Sequence, residues 1–163
     1  MTRLIALDSL WFALVVSVLG GIVAPIGLAR GKRNWLPFAQ GAVYANFALV
    51  SIATLAMGYG LLTHDFSISY VAQVGSRATP TFYTVISLWG ALEGSILFWA
   101  WVLALYSAAV VYINRKRVGN LVPYTASVLL AIALFFHILL VGPANPFHLP
   151  PRAAVPPVVI VFS

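Results

Sequence analysis

The chain has 163 residues, of which 62% are hydrophobic and only 7% are charged. A soluble domain has about 25% charged residues, and a soluble core in so short a chain could not bury this much apolar surface. The composition therefore indicates an integral membrane protein. The net charge of +6 does not indicate a nucleic-acid partner, because nine basic residues are too few for a phosphate-binding face. The absence of cysteine excludes disulfides, thiolate metal sites and cysteine nucleophiles.

Four apolar segments are long enough to cross about 30 Å of hydrocarbon, which requires about 20 helical residues each. They cover about residues 10–29, 37–62, 82–113 and 121–142. Pro37 and Pro123 suit the first turns of the second and fourth segments. We therefore predict an all-α, polytopic membrane protein with four transmembrane helices, in which residues 1–147 form a single domain.

The basic residues are distributed unevenly around these spans. Two tight clusters join spans one and two and spans three and four; they are Arg30, Lys32 and Arg33, and Arg115, Lys116 and Arg117. Such clusters remain in the cytoplasm as anchors according to the positive-inside rule. The pattern predicts an N-terminus outside and a first span that is retained, since a cleaved signal peptide would have its basic residues before the apolar run.

The third span contains the motif Trp-Gly-Ala-Leu-Glu-Gly-Ser at residues 89–95. Residues 96–113 are apolar and almost long enough to cross the membrane alone, so Glu93 is predicted near the outer interface. Gly90 and Gly94 form a G-x-x-x-G face on which another helix can pack closely.

An ionisable residue at a membrane is by default a functional hypothesis. One interpretation is a packing motif whose glutamate pairs with a neighbour, Arg77 being the nearest cation by topology, or reaches water. The other is a set of residues that positions a partner or ligand at the outer face. The candidate functional residues are Trp89, Gly90, Glu93, Gly94 and Ser95.

Three histidines, His64, His137 and His148, are predicted on the outer side. Neutral imidazole is the commonest metal ligand, but none of the three has a carboxylate or a second histidine at ligand spacing. We therefore predict interfacial polar residues and no metal site. No catalytic residue can be assigned, because the chain has no phosphate loop, nucleophile elbow or zinc-protease motif.

The motif at 89–95, with Leu97, Phe98 and Trp99 after it, resembles a signature of the CcmF/NrfE family of haem lyase subunits in bacterial cytochrome c maturation. The family motif reads Trp-Gly-x-His-Glu-Gly-Ser, so Leu92 stands where a histidine is usual. Three further matches occur in the order found in the family. Two precede the motif, at residues 65–72 and Pro80-x-x-Tyr83, and one comes after it, at Asn145-Pro146-Phe147. Together they resemble the N-terminal four-helix portion of the family.

This resemblance implies a multi-pass protein of the bacterial inner membrane that takes part in covalent haem attachment to exported apocytochrome c. It implies haem as the cofactor of the full-length family, and as partners other maturation membrane subunits, a haem chaperone and apocytochrome c. The family's tryptophan-rich segment and its haem-ligand histidines have no counterpart in this chain, so no residue here is assigned to haem.

Two alternative functions remain open at this stage: a small transporter or ion-path subunit that uses Glu93, and a structural helical partner. Residues 148–163 form an atypical proline-rich tail, which we interpret as the product of a truncation or a shifted reading frame.

Overall fold

The computed structural model describes residues 2–30, 36–63, 92–114 and 121–147. Within these ranges the chain forms four α-helices and no strand. They are α1 (Thr2–Ala29), α2 (Leu36–Leu62), α3 (Leu92–Asn114) and α4 (Val122–Val141). All four are long and apolar enough to cross a membrane. The prediction of an all-α protein with four membrane-spanning helices is confirmed.

One helix end differs clearly from the predicted spans. Helix α1 begins at Thr2, before the predicted start at residue 10, and includes Arg3 and Asp8 in its first turns. Helix α3 is described from Leu92 onward, so the start of the third span at residue 82 remains a prediction. Residues 82–91 lie outside the described residues.

Large apolar side chains cover the outer surface of the bundle. Leu55 on α2, Trp99 on α3 and Phe135 on α4 are each more than half exposed. A soluble monomer rarely exposes contiguous apolar area on this scale, but lipid chains solvate such side chains well. The surface therefore agrees with a multi-pass membrane protein.

The helices alternate in direction. Arg3 at the start of α1 donates a hydrogen bond from Nε to the carbonyl oxygen of Phe147, at 2.6 Å, just after α4 ends. We call this end of the bundle the Arg3 end and the opposite one the Arg30 end, after the residue that follows α1. Helices α2 and α4 contact each other, and both also contact α1 and α3. The described helix ends that flank the two basic clusters all lie at the Arg30 end.

The interior consists of two apolar layers, one towards each end. The layer at the Arg3 end includes Leu10, Met57, Leu97 and Phe147. The layer at the Arg30 end is built largely from small side chains, with alanines from α2, α3 and α4. Small residues allow helix backbones to approach closely in a membrane, where packing rather than hydrophobic transfer drives association.

Candidate functional site

The glutamate motif is only partly within the described residues. Glu93 lies in the first turn of α3, where a carboxylate interacts favourably with the helix dipole. Its side chain is half-buried, as is that of Ser95, and Gly94 is buried. Trp89 and Gly90 lie outside the described residues, so close packing on a Gly90–Gly94 face remains a prediction. Arg77 also lies outside them.

The Asn145-Pro146-Phe147 motif closes the Arg3 end of the bundle. The Oδ1 atom of Asn145 accepts a hydrogen bond from the backbone N–H of Phe147 at 2.9 Å, which forms a side-chain turn after α4. This turn directs the Phe147 ring into the interior, where it is fully buried. Together with the Arg3 bond, the turn attaches the end of α4 to the start of α1. The motif has a clear structural role at the end where Glu93 is found.

A buried polar cluster connects three helices between the two apolar layers. Ser17 on α1, Asn46 on α2 and His137 on α4 are each 1% exposed. The Ser17 Oγ atom donates to Asn46 Oδ1 at 3.3 Å and lies 3.2 Å from His137 Nδ1. We call these three residues the polar trio.

The prediction of an interfacial His137 is wrong. Its side chain lies on the buried face of α4, in line with Leu130, Ala133 and Leu140. The spacing of three and four residues gives these positions one helix face, and that face packs against α1 and α2. Because α4 is apolar on all its sides, the sequence pattern did not reveal which face was buried.

Sequence reasoning did not identify Ser17 or Asn46. The signal was nevertheless present, because an asparagine and a serine within apolar spans require partners in hydrocarbon, where water is absent. Had the polar residues of all four spans been considered together, an interhelical contact would have been expected. The sequence alone could not have shown which of them meet.

The polar trio does not fit a metal or haem site. Nδ1 of His137 is occupied by Ser17, and the side chain is enclosed by the packed helices. No group of three or more histidine, aspartate or glutamate side chains within metal-binding reach occurs in the described ranges. His64 and His148 lie outside those ranges.

A shallow groove of about 400 Å³ runs along the surface between α2 and α3. Phe98 and Trp101 line one side, and Ser51, Thr54 and Leu55 line the other. The indole Nε1–H of Trp101 donates to Ser51 Oγ at 3.0 Å, which joins the two helices, whereas Thr54 Oγ1 donates to the Val50 carbonyl oxygen within α2. Its remaining surface is apolar and opens towards lipid.

The fold and the polar trio define the class of protein. It is a polytopic helical membrane protein whose four described spans alternate in direction, three of them being connected by buried polar contacts. No family model matches the sequence.

Comparison with known proteins identifies the family. The chain is 33% identical over 135 residues to the cytochrome c-type biogenesis protein CcmF of Pseudomonas fluorescens, an alignment that covers 83% of this chain and 20% of the relative. It is 37% identical over 126 residues to the cytochrome c-type biogenesis protein NrfE of Haemophilus influenzae, which covers 77% of this chain and 20% of the relative.

The fold agrees with these sequence similarities. The structure of a cytochrome c haem lyase CcmF superimposes with a TM-score of 0.83 and 32% identity, over 91% of this chain and 25% of that chain. The chain belongs to the CcmF/NrfE family of cytochrome c-type biogenesis proteins. It spans about a fifth of the length of the curated relatives it matches.

Proposed function

We propose that the chain forms the N-terminal membrane part of a haem lyase subunit, which takes part in covalent haem attachment to exported apocytochrome c. The observation that supports this most strongly is the match to the haem lyase structure, because fold and sequence agree over 91% of the chain. A shared fold alone would not indicate a shared function.

Within such a subunit the four helices serve as a scaffold. His137 is enclosed by the packed helices, and its Nδ1 atom lies against Ser17, which in turn binds Asn46. Haem and its ligands would then belong to parts of the family that this chain does not match. The partners of the scaffold are other membrane subunits of the maturation system, a haem chaperone and apocytochrome c.

The Arg3 end is the surface proposed to meet these partners. Haem attachment to an exported protein takes place outside the cytoplasm, and the positive-inside rule directs the two basic clusters to the cytoplasm. The proposed location is the bacterial inner membrane, with the Arg3 end and Glu93 outside.

The absence of native cysteine allows a direct test of this orientation. Thr63, exposed at the Arg3 end, and Leu121, exposed at the Arg30 end, are replaced by cysteine one at a time. A membrane-impermeant maleimide is expected to label Thr63→Cys in intact spheroplasts, and to label Leu121→Cys only after lysis. The reverse pattern would overturn the proposed orientation.

The proposed function is tested by deleting the coding sequence in the organism of origin. We expect c-type cytochromes to lose covalently bound haem, as seen by haem staining of denaturing gels, and a plasmid copy to restore it. Unchanged staining in the deletion strain would contradict the proposal. Immunodetection of a tagged copy controls for expression and membrane insertion.

The Glu93→Gln variant separates the scaffold function from ion transport. We expect a severalfold loss of haem-stained cytochrome and no change in proton or cation flux through proteoliposomes. An ion path requires several ionisable groups through the membrane, and Asp8 is the one other acidic residue in the described ranges. Asp8→Asn, an exposed carboxylate-to-amide change near the same end, is the matched control and should leave maturation intact. Abolished flux in Glu93→Gln would favour transport instead.

A further inference from the structure

The polar trio connects one residue from each of three helices in the middle of an otherwise apolar bundle. We infer that Ser17, Asn46 and His137 act as a register lock, which holds α4 at one depth and one rotation against the α1–α2 pair. The three residues are positioning residues for the fold and for the surface at the Arg3 end. This role does not depend on the proposed haem lyase function.

The hydrogen bonds have a defined direction. A serine hydroxyl has one proton, and that of Ser17 is donated to Asn46 Oδ1. With the Asn46 amide in this orientation, the contact between Ser17 Oγ and His137 Nδ1 is made by a proton on Nδ1, whereas the opposite amide orientation would reverse both bonds. In the neutral ring, the lone pair is left on Nε2. The lock therefore specifies one tautomer of His137 as well as one helix position.

Apolar packing alone would define the position of α4 poorly. Apart from the trio, the packed faces of the helices are largely apolar, so a displaced α4 would still present apolar side chains to α1. A shift of one helical turn, about 5.4 Å, would place Ala133 or Leu140 opposite Ser17. The imidazole would then lose its Ser17 partner in hydrocarbon, where water cannot replace it, and the hydroxyl would keep only its bond to Asn46 on α2. A buried polar residue is known to select register in other helical assemblies.

A second, independent contact holds α4 at the same position along α1. Arg3 and Ser17 both lie on α1. Their respective partners are Phe147, just after the end of α4, and His137, in the last turns of α4. A one-turn shift of α4 would break both contacts at once. The outer contact also determines where the turn after α4 meets the start of α1. The lock in the membrane therefore helps to determine the shape of the outer surface.

Cysteine cross-linking measures the register directly in this cysteine-free chain. A Cβ atom at Gly21 would lie 3.9 Å from the carbonyl oxygen of Ser127 on α4, so Gly21→Cys with Ser127→Cys reports the observed register. Gly21→Cys with Ala131→Cys reports a shift by one turn. While the lock is intact, we expect oxidative cross-linking of the first pair to predominate over that of the second.

Removing the lock should change the ratio of the two cross-links. Ser17→Ala removes the trio's contact with α4, and at the usual strength of one hydrogen bond between membrane helices we expect the ratio to fall by about threefold. Ser17→Thr keeps the hydroxyl and should preserve the ratio. An unchanged ratio in Ser17→Ala would overturn the inference, as would an equal fall in Ser17→Thr.

The tautomer provides a second measurement that does not require a destabilised variant. In ¹⁵N-histidine-labelled protein in micelles, we expect the His137 signals of a neutral ring protonated at Nδ1, assigned by their absence in His137→Phe. A ring protonated at Nε2 would overturn this direction of the hydrogen bonds, while the cross-linking ratio tests the register lock itself. The Ser17→Thr variant should keep the Nδ1–H form.

Discussion

Replacing Phe147 with alanine is expected to lower the free energy of unfolding by about 3 kcal/mol, at the lower end of the range for buried aromatic residues. The ring is fully buried in the layer at the Arg3 end, beside Ala6, Leu10 and Met57. Its loss leaves a cavity that the surrounding helices can fill only in part. Membrane residues gain less from hydrophobic transfer, so most of the loss comes from packing. The measurement is equilibrium unfolding of the detergent-solubilised protein in SDS.

The matched control for this change is Phe135→Ala. Phe135 is also on α4, but its ring is 59% exposed towards lipid, so we expect a loss below about 1 kcal/mol. Similar losses in the two variants would contradict the buried position of Phe147. The Phe147→Ala variant should also weaken the contact with Arg3, because the carbonyl that accepts its hydrogen bond belongs to the same residue.

Replacing Gly20 with alanine is expected to destabilise the bundle by about 1–3 kcal/mol, the usual cost of overpacking. A Cβ atom at this position would lie 2.6 Å from Leu130 Cδ1 and 2.7 Å from Ala42 Cβ. The leucine side chain can rotate away, but the Ala42 Cβ is attached directly to the backbone of α2. Helices α1 and α2 must therefore separate, which also lengthens the bond between Ser17 and Asn46 less than one turn away.

Two further variants test whether the loss in Gly20→Ala comes from the contact between α1 and α2 or from replacing a glycine in general. Gly58→Ala on α2 adds a methyl group where no neighbour lies within 4 Å, and should leave stability unchanged or slightly increased. Ala42→Gly in the Gly20→Ala background removes the clash with α2 and should restore at least half of the lost stability. Failure of this second change to restore stability would show that the crossing is not the cause.

Both predictions depend on contacts that hydropathy could not reveal. Each helix is apolar throughout, so no amphipathic face indicates which residues point inwards. Leu130 and Phe135 are both large apolar residues of α4, yet one is buried and the other faces lipid. Phe147 lies beyond the predicted fourth span, and its burial depends on the turn that Asn145 forms. The buried face becomes known only when the neighbouring helices are in place.

The candidate site, too, could be predicted from the sequence only in part. The motif around Glu93 was recognisable as a family signature, and α3 places Glu93 in its first turn at the Arg3 end. The sequence predicts His137 as an interfacial polar residue, because its position near the end of α4 suggests access to water. The turn after α4 and the contact with Ser17 instead place it in the interior.

The sequence by itself determined that this is a membrane protein, that its helices number four in the described ranges, and that it resembles one family. These properties follow from composition, segment length and local motifs, which do not depend on how the helices pack. Only the tertiary structure decided that Gly20 lies against Ala42 and Leu130, that Phe147 closes the Arg3 end and that Ser17, Asn46 and His137 meet. The physical reason is that hydropathy in a membrane selects insertion, whereas close packing and buried hydrogen bonds between helices distant in sequence select the arrangement.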